Sequence, residues 1–383
     1  MPIYSGRSGR SGRSGRSGRS GRSVGTATEI GSGDFEHAGG AFGMLISDAL
    51  IGTRDALIGS GSSVFPQDTQ DKEKFALGDE TLRLFRLSEI ERASVIQSEL
   101  VEATRVHVPS EGTVQVDLLG RASDGSAIAS PLLKIKRPEL SDFRDAIETI
   151  DSYADLREDR LAEITLQVSD QLSFFGSVTP LQPAGFRWTL EYLSAVLDYV
   201  TMISQRIKLY LGCPRPEILS PRLQPLIQTP SHGAFPSGHA AQAFSIAETL
   251  VRLRHSEQVE LVRNGNVLEE GPANLYRMAA RIAVNRTVAG VHYPADSAAG
   301  SMIGAALASA VWSRASDEPD QNFYATDFSG VAFSQRDFSV NEFMDMVRGD
   351  ASAKSLDRFV PVHAPLLSAL KKKARTEWQE RWS

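Results

Sequence analysis

Cysteine is almost absent from this chain of 383 residues, and the single thiol, Cys213, excludes an intramolecular disulfide and any multi-cysteine zinc site. Stability must then come from packing alone. Long apolar runs are missing too: the best candidate, IGAALASAVW at 303–312, is about half the length a membrane helix needs. The first twenty-three residues lack the apolar stretch of a secretory signal. These absences together predict a soluble, cytoplasmic protein without a membrane span.

In place of a signal, Ser-Gly-Arg repeats six times from Ser5 to Arg22. A segment with six positive charges and no apolar side chain cannot offset the entropy of ordering, so residues 1–23 are expected to be a disordered tail. Without those arginines the net charge of −6 becomes −12. A basic tail on an acidic body could touch nucleic acid or another anionic surface, and a plain solubilising repeat accounts for it as well. Residues 24–75 stay rich in Gly, Ser and Ala, with ALIG repeated in 49–59, and read as a linker.

At 41% apolar and 23% charged residues the remainder has the composition of a globular protein. Leucines and isoleucines at spacings of three and four predict a helix over 81–103, with an apolar face that could pack in cis or against a second copy in a homo-oligomer. Residues 113–119 alternate with a period of two, and a Ser-Asp-Gly turn at 123–125 leads to SPLLKIKRP, which predicts a small β-hairpin within 76–139. From 140 onward the pattern is helical: 140–164, 186–211, 238–254, 274–291, 296–312 and a solvated last helix, 366–382. Residues 243, 244, 247, 250 and 251 form the apolar stripe of 238–254. The fold class expected is mainly α, with 140–383 as the catalytic domain.

Three local patterns carry chemistry. Lys208 closes one long helix, and Arg215 follows in a loop stiffened by Pro214 and Pro216, so two cations leave one helix end. Taken alone, they are as well explained by the helix dipole and solvent. Pro236-Ser237-Gly238-His239 immediately precedes a helix, whose free N–H groups and dipole favour an anion; a hydroxyl, an unhindered amide and an imidazole converge there. Taken alone, this is a serine N-cap beside a histidine. Arg286, His292 and Asp296 are separated by five and three residues, which lets the carboxylate accept the imidazole Nδ1 proton and turn Nε2 outward as nucleophile or metal ligand. Arg286 adds a bidentate partner for an oxyanion.

In this order and spacing the three patterns resemble the signature of the superfamily of type 2 phosphatidic acid phosphatases and vanadium-dependent haloperoxidases. The chain departs from it at Asn285, where that family usually has serine. The resemblance implies a helical bundle of that type holding phosphate or vanadate, with Lys208, Arg215, Ser237, Gly238 and Arg286 as oxyanion ligands. It makes His292 the phosphate-attacking nucleophile in a phosphatase or the vanadium ligand in a haloperoxidase, His239 the acid/base, and Asp296 the partner of His292. His232, seven residues before His239, falls on a position that belongs to the haloperoxidase active site, where algal bromoperoxidases also have histidine. The reading that follows is a vanadate-dependent haloperoxidase that uses hydrogen peroxide to oxidise a halide, bromide by expectation, for transfer to an organic acceptor. The alternatives are a metal-free acid phosphatase acting through a phosphohistidine, and an inactive anion-binding or interaction protein.

Overall fold

The computed structural model describes residues 80–122, 124–254, 273–317, 323, 325–350 and 359–380. The Ser-Gly-Arg repeat, the 24–75 segment and Ser123 of the expected turn lie outside them. Helix α1 (Glu80–Leu84) belongs to one compact unit, 23–86. Everything described from Leu87 onward belongs to another, which is mainly helical with a small mixed sheet.

The helix expected over 81–103 is interrupted, because Ser88 opens a new one. Its Oγ accepts from Glu91 N while Glu91 Oε2 accepts from Ser88 N, a capping box that starts α2 (Glu89–Glu102). The next segments form β1 (Thr104–Ser110), β2 (Thr113–Arg121) and β3 (Ala127–Lys136), consecutive antiparallel neighbours. The expected hairpin is therefore only the middle of a five-stranded mixed sheet. Two strands from far along the chain complete it: β4 (Thr326–Ser329) runs parallel to β3, and β5 (Val360–Pro361) pairs with the end of β2. Local alternation could not reveal these partners, since β4 and β5 are short and pair with segments far away in the sequence. Pro131, which has no N–H to donate, sits where the β2–β3 register shifts.

The helix expected over 140–164 is also two: α3 (Leu140–Ser152) and α4 (Arg157–Leu166), separated by a 3-10 turn over Tyr153–Leu156. Ser152 Oγ bonds back to Thr149 O at the break, the local competition for backbone that weakens serine inside helices. A short α5 (Leu172–Gly176) precedes the long α6 (Arg187–Leu211), and α7 (Pro216–Leu219) follows it.

The remaining helices are α8 (Gly238–Arg254), α9 (Ala273–Val288), α10 (Pro294–Arg314), α11 (Val340–Asp350) and α12 (Pro365–Glu380). α11 was not among the expected helices. α8 packs against α6, α9 and α10. The stripe of Ala243, Phe244, Ala247, Leu250 and Val251 is buried as expected, but so is nearly every other side chain from Ala240 to Leu253. Glu248 and Arg252 enter that interior as an ion pair, and Tyr276 Oη donates to the same carboxylate. Full burial of one large apolar side chain such as Phe244 contributes about 1.5–3 kcal/mol, so α8 is the centre of the core rather than a surface helix.

α10 approaches α8 more closely than any side chain would permit. A Cβ on Gly300 would stand 2.4 Å from Ser237 O, and one on Gly304 only 2.1 Å from Ala241 O. The last helix, expected to be solvated, instead buries Leu367, Leu370, Ala374 and Trp378 against α6. Glu377 on it accepts hydrogen bonds from Trp188 N and Thr189 N at the start of α6. Among the described residues no helix is long and apolar enough to cross a membrane.

Candidate active site

All nine residues marked by the sequence meet around the N-terminus of α8. Lys208, in the last turn of α6, is 1% exposed, and its Nζ donates to Gly233 O and Ala234 O, both at 2.9 Å. It thereby ties α6 to the loop that precedes Ser237. A Cβ on Gly238 would lie 3.9 Å from Lys208 Cε, so the lysine tip borders that glycine.

Arg215 gathers three segments. Its Nε donates to His232 O at 3.2 Å, Nη1 to Val291 O at 2.8 Å, and Nη2 to His232 Nδ1 at 3.1 Å. Nη1 also stands 3.3 Å from His292 Nε2. Since guanidinium is always a donor, His292 Nε2 carries a lone pair there, whereas His232 Nδ1 stands between the Arg215 donor and Gly233 O, an acceptor at 3.2 Å.

His292 lies just after a turn in which Gly290 adopts φ 75°, a left-handed conformation that glycine takes without strain. Its Nδ1–H donates to Asp296 Oδ2 at 2.8 Å. The same oxygen accepts from Tyr293 N at 3.1 Å, which locks the carboxylate at the start of α10. The i,i+4 spacing thus produces the arrangement the sequence suggested, with Nε2 unprotonated and turned away from Asp296. Ser237 N donates to Asp296 O at 2.8 Å, so the Ser237 loop and the His292 turn are joined through backbone. At the head of α8 the N–H groups of Gly238 and His239 have no intrahelical acceptor, and Ser237 Oγ accepts from Ala240 N at 3.3 Å.

Arg286, in the last turn of α9, is fully buried. Its Nη2 donates to Ile164 O and to Gln167 Oε1, each at 3.1 Å, whereas Nε and Nη1 have no hydrogen-bond partner among the described residues. His239 Nε2 is likewise buried without one.

Charge is the decisive feature. None of Lys208, Arg215 and Arg286 forms an ion pair among the described residues, and the carboxylates whose fields reach the cluster, Asp296 and, at Arg215, Glu217, are fewer than its three cations. A buried charge without compensation costs several kcal/mol, so such a group either loses its proton or waits for an anion. The acidities follow this logic. Burial pushes Arg286 down to about 9. Lys208 is lowered by burial and by Arg215, and Asp296 is raised by burial against the pull of Lys208. His239 falls well below its usual value through burial and then the field of Arg286, Lys208 and Arg215. His292 behaves the same way, and His232 is lowered to about 4 by burial and Lys208. All three imidazoles are neutral near pH 7 while the pocket is free of anion.

Two groups escaped the sequence reading. Gln167 and the carbonyl of Ile164 hold Arg286 from 119 and 122 residues away, and no local pattern marks them. The carbonyls of Gly233 and Ala234 that seat Lys208 carry no side-chain signal at all. Asn285 donates Nδ2 to Gln167 Oε1 at 3.0 Å and to Glu163 Oε2 at 3.1 Å, while its Oδ1 accepts from Arg160. No group of three His, Cys, Asp or Glu side chains able to hold a cation exists among the described residues. The donor set suits a tetrahedral oxyanion. No curated protein matches the chain. The stretch 189–319, which carries all nine marked residues, matches the family model of the PAP2 superfamily, a group that covers phosphatases and haloperoxidases.

Proposed function

We propose that the protein is a vanadate-dependent haloperoxidase that oxidises halide with hydrogen peroxide. The observation that carries the reading is the cluster of three buried cations without carboxylate partners, closed by His292 and bordered by His232. Vanadate fits the residues present: the unpartnered Nε and Nη1 of Arg286 and Nε2 of His239 are buried polar atoms that need a ligand. Lys208, Arg215 and Arg286 would hold its oxygens together with Ser237 Oγ and the Gly238 amide, and His292 Nε2 would ligate the metal. Bound vanadate supplies the Lewis acidity that activates peroxide towards halide.

The chain's own part is charge and proton management. Burial depresses His239 most and the cationic field adds to it; a bound oxyanion cancels that field, so the affinity of His239 for a proton rises when the pocket fills. His239 can then hold and deliver the proton consumed when peroxide and halide give hypohalous acid and water. Asp296 keeps the Nδ1 tautomer of His292, so that Nε2 remains a ligand. His232 adds a second neutral imidazole at the wall, fixed by Arg215.

A second reading is favoured by the His292 geometry itself. An oriented Nε2 lone pair beside Arg215, in the same pocket as His239, also suits nucleophilic attack on a phosphate monoester, with His239 protonating the leaving group. Purified protein loaded with orthovanadate should brominate a dye only with peroxide present, and His292→Ala should abolish this. Hydrolysis of a chromogenic phosphate ester, inhibited by vanadate and without bromination, would establish the phosphatase instead. Inactivity in both assays would leave an anion-binding protein.

A further inference from the structure

Arg286 is the one pocket cation whose guanidinium is held from outside the family-matched segment. Gln167, immediately after α4, is fully buried, and its Oε1 is shared by two donors: Arg286 Nη2 at 3.1 Å and Asn285 Nδ2 at 3.0 Å. Because both neighbours can present only N–H there, the amide orientation is settled by its surroundings. Asn285 is itself fixed by Arg160 and Glu163 of α4. The result is a clamp in which α4 grips the end of α9 and fixes the Arg286 guanidinium, leaving its Nε and Nη1 without partners among the described residues.

We infer that Gln167 is a positioning residue for oxyanion binding, acting through Arg286, and that Asn285 serves the same clamp. This rests on the reading of the pocket as an oxyanion site. A serine at 285 has one hydroxyl and cannot reproduce the hydrogen bonds that Asn285 makes to Gln167, Glu163 and Arg160 at once. The departure of this chain from the family pattern thus has a local partner in Gln167. Without the Gln167 acceptor, Arg286 Nη2 keeps only Ile164 O, and the guanidinium can rotate away from this position. Misdirecting a charge-assisted hydrogen bond in this way weakens affinity about tenfold.

The test is a double-mutant cycle read as orthovanadate affinity, by calorimetry, on the full chain. Gln167→Met keeps the volume and removes the acceptor; Arg286→Ala removes the group it acts through. Affinity should fall about tenfold in Gln167→Met, and Asn285→Ser should show a smaller loss in the same direction. The Gln167→Met effect should vanish in the Arg286→Ala background, because there is no longer a guanidinium to fix. Additive losses would overturn the inference by showing that Gln167 acts on the fold at large. So would unchanged affinity in Gln167→Met. If Gln167→Met fails to fold, Asn285→Ser crossed with Arg286→Ala decides the matter by the same criterion. An unmodified protein that binds neither orthovanadate nor sulfate would sink the oxyanion reading itself, and this inference with it.

Discussion

Gly300→Ala tests whether the pocket depends on the close approach of α8 and α10. The added Cβ would stand 2.4 Å from Ser237 O and 2.9 Å from Ala240 Cβ, against an ordinary separation of 3.4–4 Å. Ser237 O cannot swing aside freely, since it accepts from Ala241 N, and Ser237 N is bonded to Asp296 O. The first turn of α8 must therefore shift by about 1 Å relative to α10. Overpacking of this kind costs about 1–3 kcal/mol, a fall of several degrees in Tm. The larger effect should be functional, because misplacing an oriented group by about 1 Å can cost about 10²-fold in rate. Gly304→Ala supplies the comparison: its Cβ meets Ala241 O at 2.1 Å, so it strains the same helix pair one turn farther from Ser237. Gly176→Ala, with open space around it, should change neither property. Thermal melting, orthovanadate affinity and turnover measured on all three variants separate the effects. If Gly300→Ala and Gly304→Ala lose affinity in equal proportion to their loss of stability, then Gly300 has no special part in seating Ser237 and Gly238.

Asp296→Asn can offer an N–H to His292 Nδ1, moving the imidazole proton to Nε2 and removing its lone pair; affinity or activity should drop about 10–100-fold with little change in melting temperature. Sulfate, whose charge is constant over the range, should bind most tightly at acidic to neutral pH. Lys208 and Arg286 both have lowered proton affinities in the free pocket, so raising the pH removes first the lysine charge and then, towards 9, the arginine charge; affinity that rises from pH 7 to 9 would contradict this. His232, at about 4, should stay neutral in the anion-free pocket between pH 5 and 8, which titration of its ring by NMR, assigned with His232→Phe, will check. Orthovanadate at about one hundred times its Kd should stabilise the fold by about 2.7 kcal/mol, and no shift in Tm under that condition would count against a preformed site.

The site was readable because each part is local. A lysine and an arginine around one helix end, a Ser-Gly-His at one helix start, and a histidine four residues before an aspartate encode their geometry in spacing, since 3.6 residues per turn fixes which side chains face each other. The long amphipathic stretches that became α6, α8 and α9 were legible for the same reason. The breaks at Ser88 and at 153–156 were not, since they arise from capping and side-chain bonds that compete with an unbroken apolar period. The strand partners of the sheet were hidden as well. β4 and β5 gain their strand conformation from the edges of β3 and β2 rather than from their own composition.

By itself the sequence determined that no intramolecular disulfide can form, where its main helices run, and which nine residues gather in the candidate site. Only the tertiary structure decided that three cations are buried together without carboxylate partners, that α8 is a central helix rather than a surface one, and that Gln167 and Ile164 hold Arg286 from a distant helix. The physical reason is range. Helical periodicity acts over a few residues and is written in order, whereas burial, desolvation and the orientation of a guanidinium depend on groups that only the folded chain brings together.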